Sequence, residues 1–258
     1  MDRTNWFWGK CPINLLVLAV HCQGVATPLL WRHLQREGAS DTEQRKQLLG
    51  EFVRLFGSHR IHYITGDREF IGEDWIAWLH KRDLPFRLRL RVSDLVADHR
   101  GRLYEVSSLF SRSMKCRKGK WLLWGTWVYL GGKPLKTGDY LLLASSHRGN
   151  LLEDYRRRWS IECLFQALKG RGLDLETTRV ILPDRLCRLL GLLALAYLVC
   201  VCIGEGIPES VCKATNRLRK SVVRRGLEVA HRVSLWLVGP PTPFETQAFL
   251  RAFVPCKT

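Results

Sequence analysis

The residues best suited to chemistry are three acids set far apart in the chain. Asp2 stands in Asp2-Arg3-Thr4-Asn5-Trp6, ahead of an apolar run. Asp67 stands in Thr65-Gly66-Asp67-Arg68-Glu69-Phe70, at the end of a short strand-like segment. Glu162 lies inside Tyr155-Arg156-Arg157-Arg158-Trp159-Ser160-Ile161-Glu162-Cys163-Leu164-Phe165-Gln166-Ala167-Leu168-Lys169. An acid at the end of a strand in a central sheet is well placed to coordinate a metal. Two strand aspartates and one helix glutamate can together hold two ions ~3.5–4 Å apart, and such hard oxygen ligands suit Mg²⁺ or Mn²⁺ rather than zinc. The plainer reading of Asp67, a turn residue closing a strand, stands beside this one.

The segment around Glu162 reads as one helix. At 3.6 residues per turn, Tyr155, Arg158, Glu162 and Lys169 fall within an arc of about 60°, while Ile161, Leu164, Phe165 and Leu168 share an adjoining apolar face. Such a face can be a catalytic acid flanked by phosphate-binding cations, or a solvated ladder of i,i+4 ion pairs.

The elements that must carry these residues alternate between strand and helix. Residues 12–20 form a nearly continuous apolar run, as in a centrally buried strand, and Val25 to Trp31 is its hairpin partner. Ser40-Asp41-Thr42-Glu43 is a capping box opening a helix with Leu48, Leu49, Phe52, Val53, Leu55 and Phe56 on its apolar side. Arg60 to Thr65 is a short strand, and a second helix spans about 71–82. Phe86-Arg87-Leu88-Arg89-Leu90-Arg91 alternates with period two, which puts three arginines on one face. Trp121 to Leu130 and Tyr140 to Ala144 are further strands, with Gly131-Gly132 and Thr137-Gly138-Asp139 as turns. From Asn150 the pattern is helical nearly to the end. Residues 1–84 therefore read as the first part of an α/β core, 85–149 as a β-rich basic insertion, and 150–258 as a helix completing the core plus C-terminal helices.

Charge says what such a fold meets. Lys and Arg number 41 against 24 Asp and Glu, a formal +17 in 258 residues. Residues 1–85 carry only +1, residues 86–150 carry +9 and residues 151–258 carry +7, so contact with a polyanion belongs mainly to the middle and last thirds. An apolar share of 46% excludes a disordered basic tail. The nine cysteines contain no CxxC pair and read as small buried hydrophobes in a reducing cytosol. Leu189 to Gly204 has 16 residues without a charge, ~24 Å of helix against a ~30 Å hydrocarbon core; a fully buried helix, with no membrane, is the expectation.

Asp2-Arg3-Thr4-Asn5-Trp6, then Asp67-Arg68-Glu69-Phe70-Ile71-Gly72, then Tyr-x2-Arg-x3-Glu-x6-Lys at Tyr155, Arg158, Glu162 and Lys169 resemble bacterial insertion-sequence transposases of the DDE group. The resemblance extends to Gly172-Leu173-Asp174-Leu175-Glu176. It implies an α/β fold: a ribonuclease H-like catalytic core, an antiparallel β-strand insertion within the 94 residues between Asp67 and Glu162, and a helical C-terminal part. By the same resemblance Asp2, Asp67 and Glu162 bind two Mg²⁺ (or Mn²⁺) ions for cleavage and strand transfer of double-stranded DNA, at transposon terminal inverted repeats and at target DNA. Tyr155, Arg158 and Lys169 match positions that hold terminal DNA phosphates, and Arg68, in the Asp67 motif, is a further DNA-binding candidate. Trp159 and Trp124 are candidates for stacking a flipped base, with core packing as the alternative for each. The implied setting is a homodimeric synaptic complex in the bacterial cytoplasm, at the nucleoid.

Family members carry a DNA-binding region ahead of the first acid, which here is residue 2. The chain is therefore expected to be N-terminally truncated, with Asp2 loosely held because termini fray. The alternative to an active catalytic domain is an inactive remnant that binds DNA or inhibits full-length transposase.

Overall fold

A computed structural model describes residues 1–35, 37–111, 116–170, 172–208, 211–212, 217–218, 220–234 and 242–251. The chain divides into two units, Met1–Phe7 with Pro12–Ile161, and Trp8–Cys11 with Glu162–Thr258.

In the first unit, β1 (Asp2–Trp8), β2 (Cys11–Cys22) and β3 (Val25–His33) form a three-stranded sheet in that order. Ile13 and Leu15 to Leu18 are buried, as a central strand requires. β3 pairs with β2 antiparallel, and the register slips between Leu18 and Ala19, opposite Leu30 and Pro28. Pro28 has no N–H to give the ladder, so the bulge falls there. The expected capping box is shifted by one residue. Asp41, not Ser40, caps α1 (Thr42–Phe56): its carboxylate accepts the Gln44 N–H at 2.7 Å and Gln44 Oε1 accepts the Asp41 N–H at 3.0 Å. Ser40 Oγ instead accepts from Arg45 Nε.

β4 is only Ile64–Gly66, and α2 (Glu73–Lys81) carries the chain to β5 (Phe86–Arg89), which pairs with β4 in parallel. A hydrogen bond from the Met1 nitrogen to the Thr65 carbonyl (2.9 Å) sets the start of β1 against β4. The remaining strands are β6 (Leu95–Ala97), β7 (Leu103–Glu105), β8 (Trp121–Leu123), β9 (Thr126–Pro134) and β10 (Tyr140–Ser145). They do not make a sheet of their own: β10 pairs with both β5 and β9, giving one seven-stranded mixed sheet in the order β4-β5-β10-β9-β8-β6-β7.

The tryptophan-rich stretch is two strands, not one. Trp124 and Gly125 both take positive φ (44° and 74°) and turn β8 into β9. Leu122 then faces Trp127 across the hairpin, which puts Trp121 and Trp127 on opposite faces, against the period-two expectation. Gly131-Gly132 lies inside β9 rather than in a turn. A Cβ at Gly132 would come within 2.8 Å of the Phe110 ring, so packing explains the glycine. The turn at Thr137-Gly138-Asp139 is present.

The helix expected across 155–169 is broken. α3 (Leu151–Arg156) and α4 (Trp159–Lys169) are joined at Arg157 and Arg158, where Arg157, Arg158, Ser160 and Ile161 each donate to the carbonyl three residues back. Those tight bonds rotate the chain away from 3.6 residues per turn, so the helix-wheel arc does not carry from Tyr155 to Lys169.

The second unit is mainly helical: α5 (Pro183–Glu205), α6 (Val222–Ser234) and α7 (Pro243–Arg251), with the short pair β11 (Val211–Cys212) and β12 (Arg217–Leu218). α5 and α6 meet at glycines. A Cβ on Gly204 would lie 1.9 Å from the Val222 carbonyl oxygen, and one on Gly226 1.7 Å from that of Cys200. The expectation of a fully buried α5 fails: Leu192 and Leu195 are 66% and 63% exposed, and 39% of the helix's most apolar window is buried. By length and composition this helix is sufficient to cross a membrane. The cysteines also differ from expectation, since Cys200 is buried whereas Cys22, Cys116, Cys163 and Cys202 are exposed.

Candidate active site

Asp2 and Asp67 come close enough to feel each other's charge because the Met1–Thr65 hydrogen bond holds the start of β1 against β4, although the two strands belong to separate sheets. Contrary to the expectation of a frayed end, the Asp2 side chain is 13% exposed and doubly held. Its Oδ1 accepts the Arg3 N–H at 2.8 Å, and its Oδ2 accepts from Arg158 Nη1 at 2.7 Å. Burial pushes the Asp2 carboxyl above the ordinary carboxylate range, Arg158 opposes that, and the charge of Asp67 adds to the rise. Asp67 follows Gly66 at the end of β4, where a Cβ on the glycine would sit 2.6 Å from the Phe70 Cβ. Gly66 thus lets the 3₁₀ turn Arg68–Phe70 fold back, bury Phe70 and turn the Asp67 carboxylate outward.

Asp67 Oδ1 accepts from Tyr155 Oη and from Arg89 Nη1, each at 3.4 Å. Tyr155 is buried, and burial pushes its phenol well above its usual range, so it acts as an O–H donor. The Arg158 guanidinium lies over the Tyr155 ring, 5.6 Å from its centre. The signature residues Tyr155 and Arg158, expected to hold DNA phosphates, are thus seated on the two acids. The break between α3 and α4 places them there.

The other expected residues are arranged differently. Arg68 is paired with Asp139 at 2.5 Å. Trp124 packs against the main core of the first unit, whereas Trp159 is 60% exposed. Glu162, half buried on α4, and Lys169, paired with Glu176 at 2.7 Å, belong to the second unit. Ile161, Leu164, Phe165 and Leu168 are buried, as the apolar face of that helix requires.

Sequence reasoning missed Arg89. The alternation in 86–91 put three arginines on one face, opposite the apolar residues. Instead Arg89 is largely buried between Asp67 and Asp139, with Nη2 3.6 Å from Asp139 Oδ2. It missed Glu69 as well, which pairs with Arg3 at 3.2 Å while Arg3 also donates to Asn14. The signal was present, since a row of arginines whose alternate positions are buried must be matched by acids elsewhere, but nothing local says which acids.

Among the described residues no three His, Cys, Asp or Glu side chains converge as a metal site. What converges is a pair of hard oxygen donors, one of them a buried carboxylate whose charge is met by a guanidinium. That donor set fits a divalent cation, which would supply the same compensation.

No curated protein matches the chain. A family model described as the transposase DDE domain matches residues 24–199, a span that contains Asp67, Tyr155, Arg158, Glu162 and Lys169. With two thirds of its length matched by that model, the chain belongs to the DDE transposase family.

Proposed function

We propose that this chain is the catalytic domain of a cut-and-paste transposase, in which Asp2 and Asp67, completed by Glu162, bind two Mg²⁺ or Mn²⁺ ions and act on double-stranded DNA. Family membership indicates transposase function, a DNA substrate and a divalent cation. The observation that carries the finer reading is the seating of Tyr155 on Asp67 and of Arg158 on Asp2. Ions held by Asp2, Asp67 and Glu162 would supply Lewis acidity for in-line attack of water, and later of a 3′-hydroxyl, on a phosphodiester.

The chain's own residues prepare that chemistry. Tyr155 donates its phenolic proton to Asp67 and keeps the carboxylate aimed. Arg158 compensates the buried Asp2 charge, and the same guanidinium can grip a phosphate bidentately once that charge is otherwise met. Lys169 offers a point charge to a terminal phosphate, and the net +17 draws DNA to the protein. Trp159, large and exposed, is the better of the two stacking candidates. The strand insertion continuous with β5, and the Met1–Thr65 contact that brings Asp2 to the end of β4 where Asp67 follows, support a ribonuclease H-like core. Two such chains would act in a synaptic complex at the nucleoid.

The test is nicking of a supercoiled plasmid carrying the element's ends, with wild type and Asp67→Ala side by side in Mg²⁺ or Mn²⁺. Metal-dependent nicking that disappears in the variant supports the reading. A folded, DNA-bound wild type that never nicks refutes it.

A further inference from the structure

At the end of β4 and β5 opposite Asp67 lies a second cleft, of about 210 Å³, lined by His62, Tyr63, Arg87, Ser146, His147 and Arg148. Its chemistry is cationic and rich in donors. The Phe86 N–H donates to Ser146 Oγ at 3.0 Å, and the same hydroxyl hydrogen-bonds His147 Nδ1 at 2.8 Å, which leaves Nε2 as the other polar edge of that exposed ring. Arg148 is exposed, with its guanidinium 5.5 Å from the centre of the Tyr129 ring, and Lys120 stands 5.7 Å from the same ring.

Arg87 is the telling residue. Its side chain is 8% exposed, stacked over Tyr63 at 4.4 Å and ion-paired with Asp154, yet its buried Nε has no hydrogen-bond partner. Gly149 makes room for it, because a Cβ there would stand 2.6 Å from Arg87 Nη2. The guanidinium is met by Asp154 and Tyr63, but its unmatched Nε–H remains beside an open cleft lined by two histidines and a second arginine.

We propose that this cleft is a phosphate-binding subsite that takes a backbone phosphate of the bound DNA. The proposal deepens the reading above and rests on it for the source of the phosphate. Tyr63 and Asp67 are four residues apart, about 13 Å along a strand, or roughly four base-pair steps of 3.4 Å. The subsite would therefore hold the duplex a few base pairs from the scissile bond and set the register in which the acids meet it.

Arg87→Gln would leave Asp154 unmatched and could fail to fold, so the test uses Arg148→Gln at the exposed rim. The equally exposed Arg100→Gln, on the turn between β6 and β7, serves as the control. Binding of a transposon-end duplex is measured between 50 and 200 mM salt, with thermal midpoints confirming folding. Losing one phosphate contact makes the slope of log K against log salt shallower by about 0.9, which shrinks the salt-induced loss of affinity about 3.5-fold. That change in Arg148→Gln, with no change in Arg100→Gln, supports the subsite. An unchanged slope, or an equal change in both variants, overturns it. Broadening of the ³¹P signal of inorganic phosphate that weakens in Arg148→Gln, together with an unchanged duplex slope, also overturns it, as capture of the free anion only. A wild type that never nicks while Arg148→Gln still flattens the slope removes the catalytic reading and leaves the subsite standing.

Discussion

Replacing Arg158 by Gln tests whether the Asp2 ion pair organises the site. The two side chains are 11% and 13% exposed and their charged atoms are 2.7 Å apart, so the pair is a buried one. Removing one partner of such a pair strands a charge and costs about 3–5 kcal/mol. At about 2–4 °C per kcal/mol for a chain of this size, the midpoint should fall by roughly 6–20 °C near neutral pH. The sign of the pH dependence follows from Asp2. Its carboxyl is already raised in the folded state by burial, and losing Arg158 raises it further. A carboxyl with a raised folded-state pKa destabilises the fold as pH climbs from the ordinary carboxylate range through the raised value. The gap between wild type and variant should therefore be widest well above the ordinary carboxylate range and should narrow as pH falls toward that range, where Asp2 becomes neutral. Differential scanning fluorimetry as a function of pH reads it directly. Arg158→Gln combined with Asp2→Asn should recover most of the loss, since a neutral amide needs no counter-charge. A deficit below about 1 kcal/mol, or one that does not change with pH, would show that the guanidinium is not what holds Asp2.

Glu162→Ala should abolish metal-dependent nicking and leave salt-sensitive DNA binding intact; equal nicking by the variant would remove Glu162 from the triad. Gly66→Ala should cost about 1–3 kcal/mol, because its methyl meets the Phe70 Cβ, and should lower nicking along with the unfolding midpoint. A wild-type midpoint would show that the turn yields easily. Asp41→Ala should lose about 1 kcal/mol through the α1 cap with no change in DNA affinity, checked by urea unfolding. Trp124→Ala should lower urea stability by about 1–3 kcal/mol, whereas Trp159→Ala should stay within about 0.5 kcal/mol of wild type. The reverse order would reassign both residues.

Much of the scaffold was readable from local pattern. The run at 12–20, the hairpin partner beyond Gly24, α1 and α2 all stand where period put them, with only the α1 cap shifted by one residue, because those signals depend on residues a few positions apart. The misreadings share one cause, that neighbours in space overrode neighbours in sequence. Gly131-Gly132 looks like a turn until Phe110 occupies the space above it. The helix over 155–169 looks continuous until Arg158 is drawn to an aspartate 156 residues away.

By itself, then, the sequence determined which acids are candidates, their order, the signature spacing and a net charge of +17. These are matters of residue identity and short-range periodicity. Only the tertiary structure decided that Tyr155 and Arg158 sit on Asp67 and Asp2, that Arg89 joins Asp67 to Asp139, and that the insertion strands extend the core sheet. A buried charge must find a partner, and which one it finds is settled by how distant strands pair, not by anything within its own turn of chain.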